Sequence, residues 1–380
     1  MKKVLLGFLV FVVFVSQAQV KTQKVQASDN YSASNGIVYA LPKVVIRLDV
    51  WIEKTDHIKG PYSTYASRLL GLSNVIESNT QSYVLKSVDI STTAIPDADQ
   101  MYFIDLGDMT GKSDNPRFIQ MSESGLFGGL GLANEESSQS SQQRPIEIVV
   151  KGDRDFHYYA DANLVDKIDT IIRRVDVDTA TIEKATIKRT SIEKNTSQRA
   201  QDAATYYMEI RKNRMELISG FQEVAYSPGT LGLMNAELKQ MEDDYLALFA
   251  GKTQLTDEHY VFYYTPSSEQ ANIIAPIFKF SPQTGFNYIS SGTGEKVSIA
   301  IKSSGLSESI SDVDVSGVID GIVYRFPETA EVWVKYGAKT FDNQMMVIPQ
   351  LGRLQSIQIG QNIFQLHSAT GGLKVLEYKK

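Results

Sequence analysis

From His259 to the last residue, every patterned segment has the period of a β-strand. Tyr260–Thr265, Ile277–Phe280, Val297–Lys302, Gly321–Phe326, Glu331–Tyr336, Met345–Ile348, Ser356–Ile359 and Leu373–Tyr378 are short runs separated by turn residues such as Ser291-Gly292 and Gly371-Gly372. Eight strands at this spacing predict a sandwich or barrel over residues 255–380. The other end of the chain speaks the same language. Val44, Ile46, Leu48, Val50 and Ile52 alternate with Val45, Arg47, Asp49, Trp51 and Glu53, which predicts a strand with one buried face. Further strands are expected at Ser82–Ser91, Met101–Leu106 and Ile146–Val150.

Helical signals fall between these two β-rich regions. Asn195 with Gln198 three residues on reads as a capping box, and a helix follows to Ser219 before Gly220. After Pro228-Gly229, the residues Met234, Leu238, Met241, Tyr245 and Leu248 form one stripe that closes at Gly251. Ala203, Tyr207, Ile210 and Leu217 make a facing stripe, interrupted by Arg214, which is expected to pair with an acid. The short connection makes the pair an antiparallel hairpin, with both stripes set to meet each other and a sheet. Gly60-Pro61 opens a short helix with Tyr62, Tyr65, Ala66, Leu69 and Leu70 on one face, and Leu164–Arg173 reads as another. Val175–Lys194 reads as an extended ribbon, and the Gly- and Ser/Gln-rich stretch 107–144 as a mobile surface loop. The fold class expected is therefore α+β: an N-terminal β-rich domain over 36–165, a ribbon plus hairpin over 166–254, and a C-terminal β domain over 255–380.

One echo links the ends. Gly36-Ile37-Val38-Tyr39-Ala40-Leu41-Pro42 matches Gly321-Ile322-Val323-Tyr324-Arg325-Phe326-Pro327 at five of seven positions, but the alternation after each proline runs out of phase. A one-residue slip exchanges the faces of a strand, so duplication is the weaker reading.

The first 18 residues supply an address. Met1-Lys2-Lys3 precedes an apolar run of 12 residues, Val4 to Val15, and then Ser16-Gln17-Ala18. That is the layout of a secretory signal peptide, and the run is well short of the ~20 residues that span a bilayer. Cleavage is expected between Ala18 and Gln19, leaving a polar leader over 19–35. The chain has no cysteine, so it carries no disulfide and no lipid-modified cysteine of a lipoprotein. Loss of Lys2 and Lys3 moves the formal charge from −6 to −8, and no basic stripe opposes it, which argues against nucleic acid as a partner.

The chemical motifs weaken on inspection. Gly107-Asp108-Met109-Thr110-Gly111-Lys112-Ser113 is one residue short of a phosphate loop, and Asp114-Asn115-Pro116 provides no helix to follow it. Asp153, Asp155 and His157 alternate, yet they are too few for calcium and too poor in histidine for zinc. No Gly-x-Ser-x-Gly elbow is present. No cofactor or metal site is therefore expected, and catalytic residues stay unassigned. Trp51 and Trp333 each fall on the polar face of a strand, as contact residues for a partner or glycan or as positions covered by another layer.

Several phrases together resemble one family. Tyr39-Ala40-Leu41-Pro42-Lys43, Gly60-Pro61-Tyr62, Ile210-Arg211-Lys212-Asn213-Arg214, Tyr245-Leu246-Ala247-Leu248-Phe249-Ala250-Gly251, Phe280-Ser281-Pro282 and Ile348-Pro349-Gln350-Leu351-Gly352 are similar to the family catalogued as domain of unknown function 4831. The resemblance implies a secreted protein of Bacteroidota-type bacteria and transfers no activity. Two readings follow for function. One is a non-enzymatic binding or assembly component of the periplasm or outer membrane, with an envelope protein or glycan as partner. The other is an envelope glycan hydrolase using a carboxylate pair, which would need a carboxyl of raised pKa in a concave pocket.

Overall fold

The computed structural model describes residues 20–25, 36–105, 118–122, 126–131, 148–159, 163–177, 180–221, 226–267, 272–358 and 363–377. In chain order the elements are β1 (Lys21–Val25), β2 (Gly36–Ile58), a 3₁₀ turn (Ser63–Tyr65), α1 (Ala66–Leu70), β3 (Thr80–Asp105), β4 (Phe118–Met121), β5 (Phe127–Gly131) and β6 (Val149–Lys151). Next come β7 (Leu164–Val177), β8 (Ala180–Glu193), α2 (Thr196–Ser219) and α3 (Pro228–Ala250). The C-terminal part holds β9 (Lys252–Tyr264), β10 (Asn272–Ser281), β11 (Gly285–Asn287), β12 (Glu295–Ser303), β13 (Val318–Asp320), β14 (Ile322–Tyr336), β15 (Lys339–Ile357), β16 (Ile363–Leu366) and β17 (Leu373–Glu377).

The strand period of β2 builds the main layer. Its buried residues Val44, Ile46, Leu48, Val50 and Ile52 point to one side of a six-stranded sheet ordered β13-β1-β3-β2-β9-β6. They meet Phe278, Phe280, Val297, Ile299, Ile301, Val332, Val334 and Ile348 from a five-stranded sheet ordered β11-β10-β12-β14-β15. Neither sheet buries its apolar face alone; each covers the other, as a sandwich requires. The C-terminal sheet is thus one layer of a sandwich whose second layer comes mainly from residues 36–105. β9 starts ahead of the 254/255 boundary and pairs along β2 from Ile46↔Tyr264 to Ile58↔Lys252, tying the C-terminal part into the first layer.

A second core lies at one end, where Tyr39, Leu41, Tyr102, Ile104, Ile322 and Val323 pack against Phe127, Phe364 and Leu366. The last three belong to a four-stranded sheet ordered β17-β16-β5-β4. Part of the expected loop 107–144 is therefore strand, β4 and β5, paired to a strand from the far end of the chain. Apart from Ser122 and Leu126, the rest of that loop, including Gly107–Ser113, lies outside the described residues, as does the signal segment 1–18.

Two other expectations are corrected. The polar leader contributes β1, because Thr22 and Val25 turn inward and Thr22 Oγ1 donates to the Gly321 carbonyl at 2.5 Å. Leu164–Arg173 is strand rather than helix. Leu164, Ile168, Ile171 and Ile172 fit helical spacing, but β7 finds an in-register partner in β8, and the β-branched side chains suit the pleat.

The helical hairpin forms where its caps predict. The Asn195 side chain accepts from Gln198 N and the Gln198 side chain accepts from Asn195 N, both at 2.9 Å. The Ser227 side chain caps α3 and accepts from Thr230 N. Arg214 pairs across the hairpin with Glu242 at 2.8 Å and donates to Asn235 at 3.1 Å. The two stripes meet each other and then the 3₁₀ turn and α1, not a sheet. Ala200, Ala203, Tyr207, Tyr245, Leu248 and Phe249 close over Tyr62 and Ala66, while Leu238 is only half-buried. At Gly251 φ is 89°, and a Cβ there would stand 2.6 Å from the Ile58 carbonyl, so glycine alone lets α3 turn directly into β9.

Candidate functional site

The echoed prolines border a polar cleft. Proline donates no hydrogen bond to a ladder, so the strand opposite it is released to bulge. Ala40 pairs with Met101 and Pro42 with Pro96, which leaves residues 97–100 looped out of β3. Phe326 pairs with Arg353 and Glu328 with Ile348, which leaves 349–352 looped out of β15. Between the bulges is a cleft of about 620 Å³ whose lining includes Lys43, Asp97, Arg325, Glu328, Gln350 and Arg353.

Each of these groups is already engaged, some with one another and the rest with neighbours around the cleft. Gln350 Nε2 donates to the carbonyls of Val44 at 2.7 Å and Pro266 at 3.3 Å, and its Oε1 accepts from Val44 N at 3.0 Å. Asp97 faces Arg325 Nη2 at 3.3 Å and Lys43 at 3.6 Å. Burial lowers the Arg325 pKa, and the Asp97 charge works against that shift. Asp312 accepts from Leu354 N at 2.7 Å and Arg353 Nη1 at 3.0 Å.

Glu328, 1% exposed, accepts from the hydroxyls of Ser304 and Ser307 and from the backbone N–H groups of Leu306, Ser307 and Thr329, at 2.5–3.2 Å. Burial pushes its carboxyl upward, but the Ser307 and Ser304 hydroxyls and the N–H groups outweigh it and bring the pKa to about 2. A general acid needs the opposite displacement. The cleft works as a buckle in which each hairpin's bulge grips the other hairpin.

Trp51 and Trp333 are not brought together. Each is half-buried on the outer face of its own layer, so the whole sandwich separates them. Trp51 stacks on His259 with ring centroids 4.3 Å apart, and His259 Nε2 lies 2.9 Å from Asp49 Oδ1, which also accepts from Arg47 at 2.7 Å. Trp333 lies across from buried Ala300. The Asp153, Asp155 and His157 trio is partnered internally: His157 bonds Asp153, and Lys252 lies 3.6 Å from the same carboxylate. Among the described residues no group of three metal-ligating side chains converges.

The strongest surface feature went unflagged by sequence patterning. Past its packed base the hairpin runs on, and Met215 and Ile218 near the end of α2, Phe221 just past it, and Leu231 and Leu233 near the start of α3 are each exposed. Phe221 is 84% exposed. Met208, Met215 and Phe221 also line an open groove along α2. The available signal was that Met215 and Ile218 lie off the Ala203–Tyr207–Ile210–Leu217 stripe, where an apolar side chain has no partner helix to cover it.

A family model matches residues 35–156 and 170–370, described as Domain of unknown function (DUF4831). The chain belongs to the DUF4831 family. The match takes in the sandwich, both proline bulges and the hairpin, so cleft and tip are built on family sequence. No curated protein and no solved structure matches the chain. No helix among the described residues is long and apolar enough to cross a membrane.

Proposed function

We propose that this DUF4831 protein is an exported, non-enzymatic binding or assembly component of the bacterial envelope, working in the periplasm or at the outer membrane. The observation that carries this reading is the exposure of large apolar side chains at the far end of the hairpin, Met215, Ile218, Phe221 and Leu233, since exposed apolar surface marks contact sites. An envelope protein seated on the tip is the partner, with Trp51 and Trp333 as further candidate contacts on the sandwich faces. The rival glycan hydrolase lacks support from the cleft, where Glu328 is displaced downward and fully hydrogen-bonded.

A photo-crosslinking side chain at position 221, expressed in the native envelope, is expected to give one discrete protein adduct that Leu233→Asp abolishes without changing the melting temperature. If no adduct forms, or if it survives Leu233→Asp, the tip is not the contact. Release of reducing ends from envelope glycan by the purified protein would favour the rival. Export itself has a separate check. The native protein is expected to begin at Gln19 by mass measurement, and a retained Met1–Ala18 segment would overturn the localisation.

A further inference from the structure

Arg325 reaches the cleft with more donors than the buckle uses. It is 5% exposed, and a guanidinium presents five N–H groups. One donates to the Pro42 carbonyl at 3.5 Å and one to Asp97 at 3.3 Å, both long for such bonds. Among the described residues the other three have no partner. A buried donor without an acceptor costs free energy, so the position favours an acceptor that enters the cleft. Charge adds to this. Asp97 stands between Arg325 at 3.3 Å and Lys43 at 3.6 Å, and neither cation has a second acid within ion-pair distance among the described residues. Glu328 lines the same cleft, but its carboxylate is held by five donors and pairs with neither cation. Two cations therefore share one carboxylate at the floor, and the surplus positive charge is one that water cannot neutralise.

The mouth has the opposite character. Asp99 and Glu308 line the same cleft, both are exposed, and neither carboxylate has a partner among the described residues. Over the whole lining five carboxylates face three cations, which disfavours a dianion such as phosphate. A ligand with one anionic and one cationic end matches both floor and mouth. Among the described residues that line the cleft none is aromatic, so a sugar or base finds no stacking platform. Residues of both bulges line it as well, which sets main-chain amides released from strand pairing beside the ligand.

We infer that the cleft binds a short peptide by its two ends, with the C-terminal carboxylate on Arg325 and Lys43 and the N-terminal ammonium at Asp99 and Glu308. At about 620 Å³ the cavity has the size of a small-ligand site. Arg325 is buried and the two acids are exposed, so the ends are held at different depths, which favours a peptide over a single amino acid. The carboxylate completes the unused fork of Arg325 with charge-assisted hydrogen bonds, the strongest contacts the site offers. Recognition rests on the two ends, so a peptide of small side chains is a sufficient probe. This inference is independent of the hairpin tip and its partner.

Calorimetric titration of the mature protein with trialanine is expected to show one site. Converting the peptide's carboxylate to the amide is expected to weaken binding about tenfold or more, and acetylating its ammonium several-fold, because each removes a charged partner. Free alanine is expected to bind more weakly than trialanine. Arg325→Gln would leave Asp97 buried without its partner, so the variants of choice lie nearer the surface. Lys43→Gln is expected to shrink the penalty for amidation, and the double variant Asp99→Asn with Glu308→Gln the penalty for acetylation, each leaving the other penalty in place. General damage to the cleft does not produce that crossed pattern. Failure of trialanine to bind at millimolar concentration overturns the inference. So do equal affinities for the free, amidated and acetylated peptides, alanine binding as tightly as trialanine, or variants that weaken every peptide by the same factor. Any of these failures leaves the reading of the tip untouched, since the titration uses purified protein and the tip variants read an envelope adduct.

Discussion

Replacing Glu328 by alanine is expected to cost about 3–5 kcal/mol, because it strands buried donors from Ser304, Leu306, Ser307 and Thr329 around an empty position. The wild-type carboxyl titrates near 2 in the folded chain, against an ordinary value of 4.5. The sign follows from that direction. A depressed carboxyl stabilises the fold fully above about pH 4.5, and its contribution of ~3 kcal/mol fades as pH falls toward 2. Urea unfolding at pH 7, 4.5, 3 and 2 checks both parts. Glu328→Gln should be less stable at pH 7 and lose less on acidification than wild type. Equal acid sensitivity in the two proteins would mean that other carboxylates dominate.

The second large effect belongs to the helical core. Phe249 is fully buried and packs its ring against Tyr62 with centroids 5.7 Å apart. Phe249→Ala is expected to cost about 3–5 kcal/mol, and Leu238→Ala, half-exposed farther along the same stripe, only about 1–2 kcal/mol. Hydrogen exchange separates this damage from a global loss. The helical core shares no residue with the sandwich core, so amides of α2 and α3 should lose protection while those of β2 and β3 keep theirs. Equal loss across both regions would show the two cores to be a single cooperative unit.

What the sequence revealed was local. The alternation from Val44 to Ile52, the Asn195–Gln198 cap, the Gly251 stop and the pairing of Arg214 all depend on residues close along one strand or within one hairpin, and all appear in the structure. What it hid was long-range. β1 has no apolar alternation of its own and exists because β3 and β13 flank it. Leu164–Ile172 satisfies helical spacing equally well, and only β8 decides between the two. The cleft joins Gln350 to Val44 and Arg325 to Asp97 across more than 200 residues of chain, beyond any spacing rule. The aligned prolines Pro42 and Pro327 were its visible trace, since proline inside a strand announces a bulge. The out-of-phase echo also has its explanation. Tyr39 and Leu41 are buried in one copy, whereas Val323 and Arg325 are buried in the other, so similar sequences turn opposite faces inward.

Ribbon and hairpin together occupy the interval between β6 and β9, which are neighbours in the same sheet, with Lys151 across from Leu255. Both projections are therefore tethered to the sandwich through adjacent strands of unequal grip. β6 holds three residues, whereas β9 holds thirteen along β2. A pull on the ribbon that reaches β6 would unzip a few bonds in turn. A pull on the tip, carried down α3 and directed along β9, would load the whole ladder in shear, so force entering through the hairpin meets thirteen paired residues where force reaching β6 meets three.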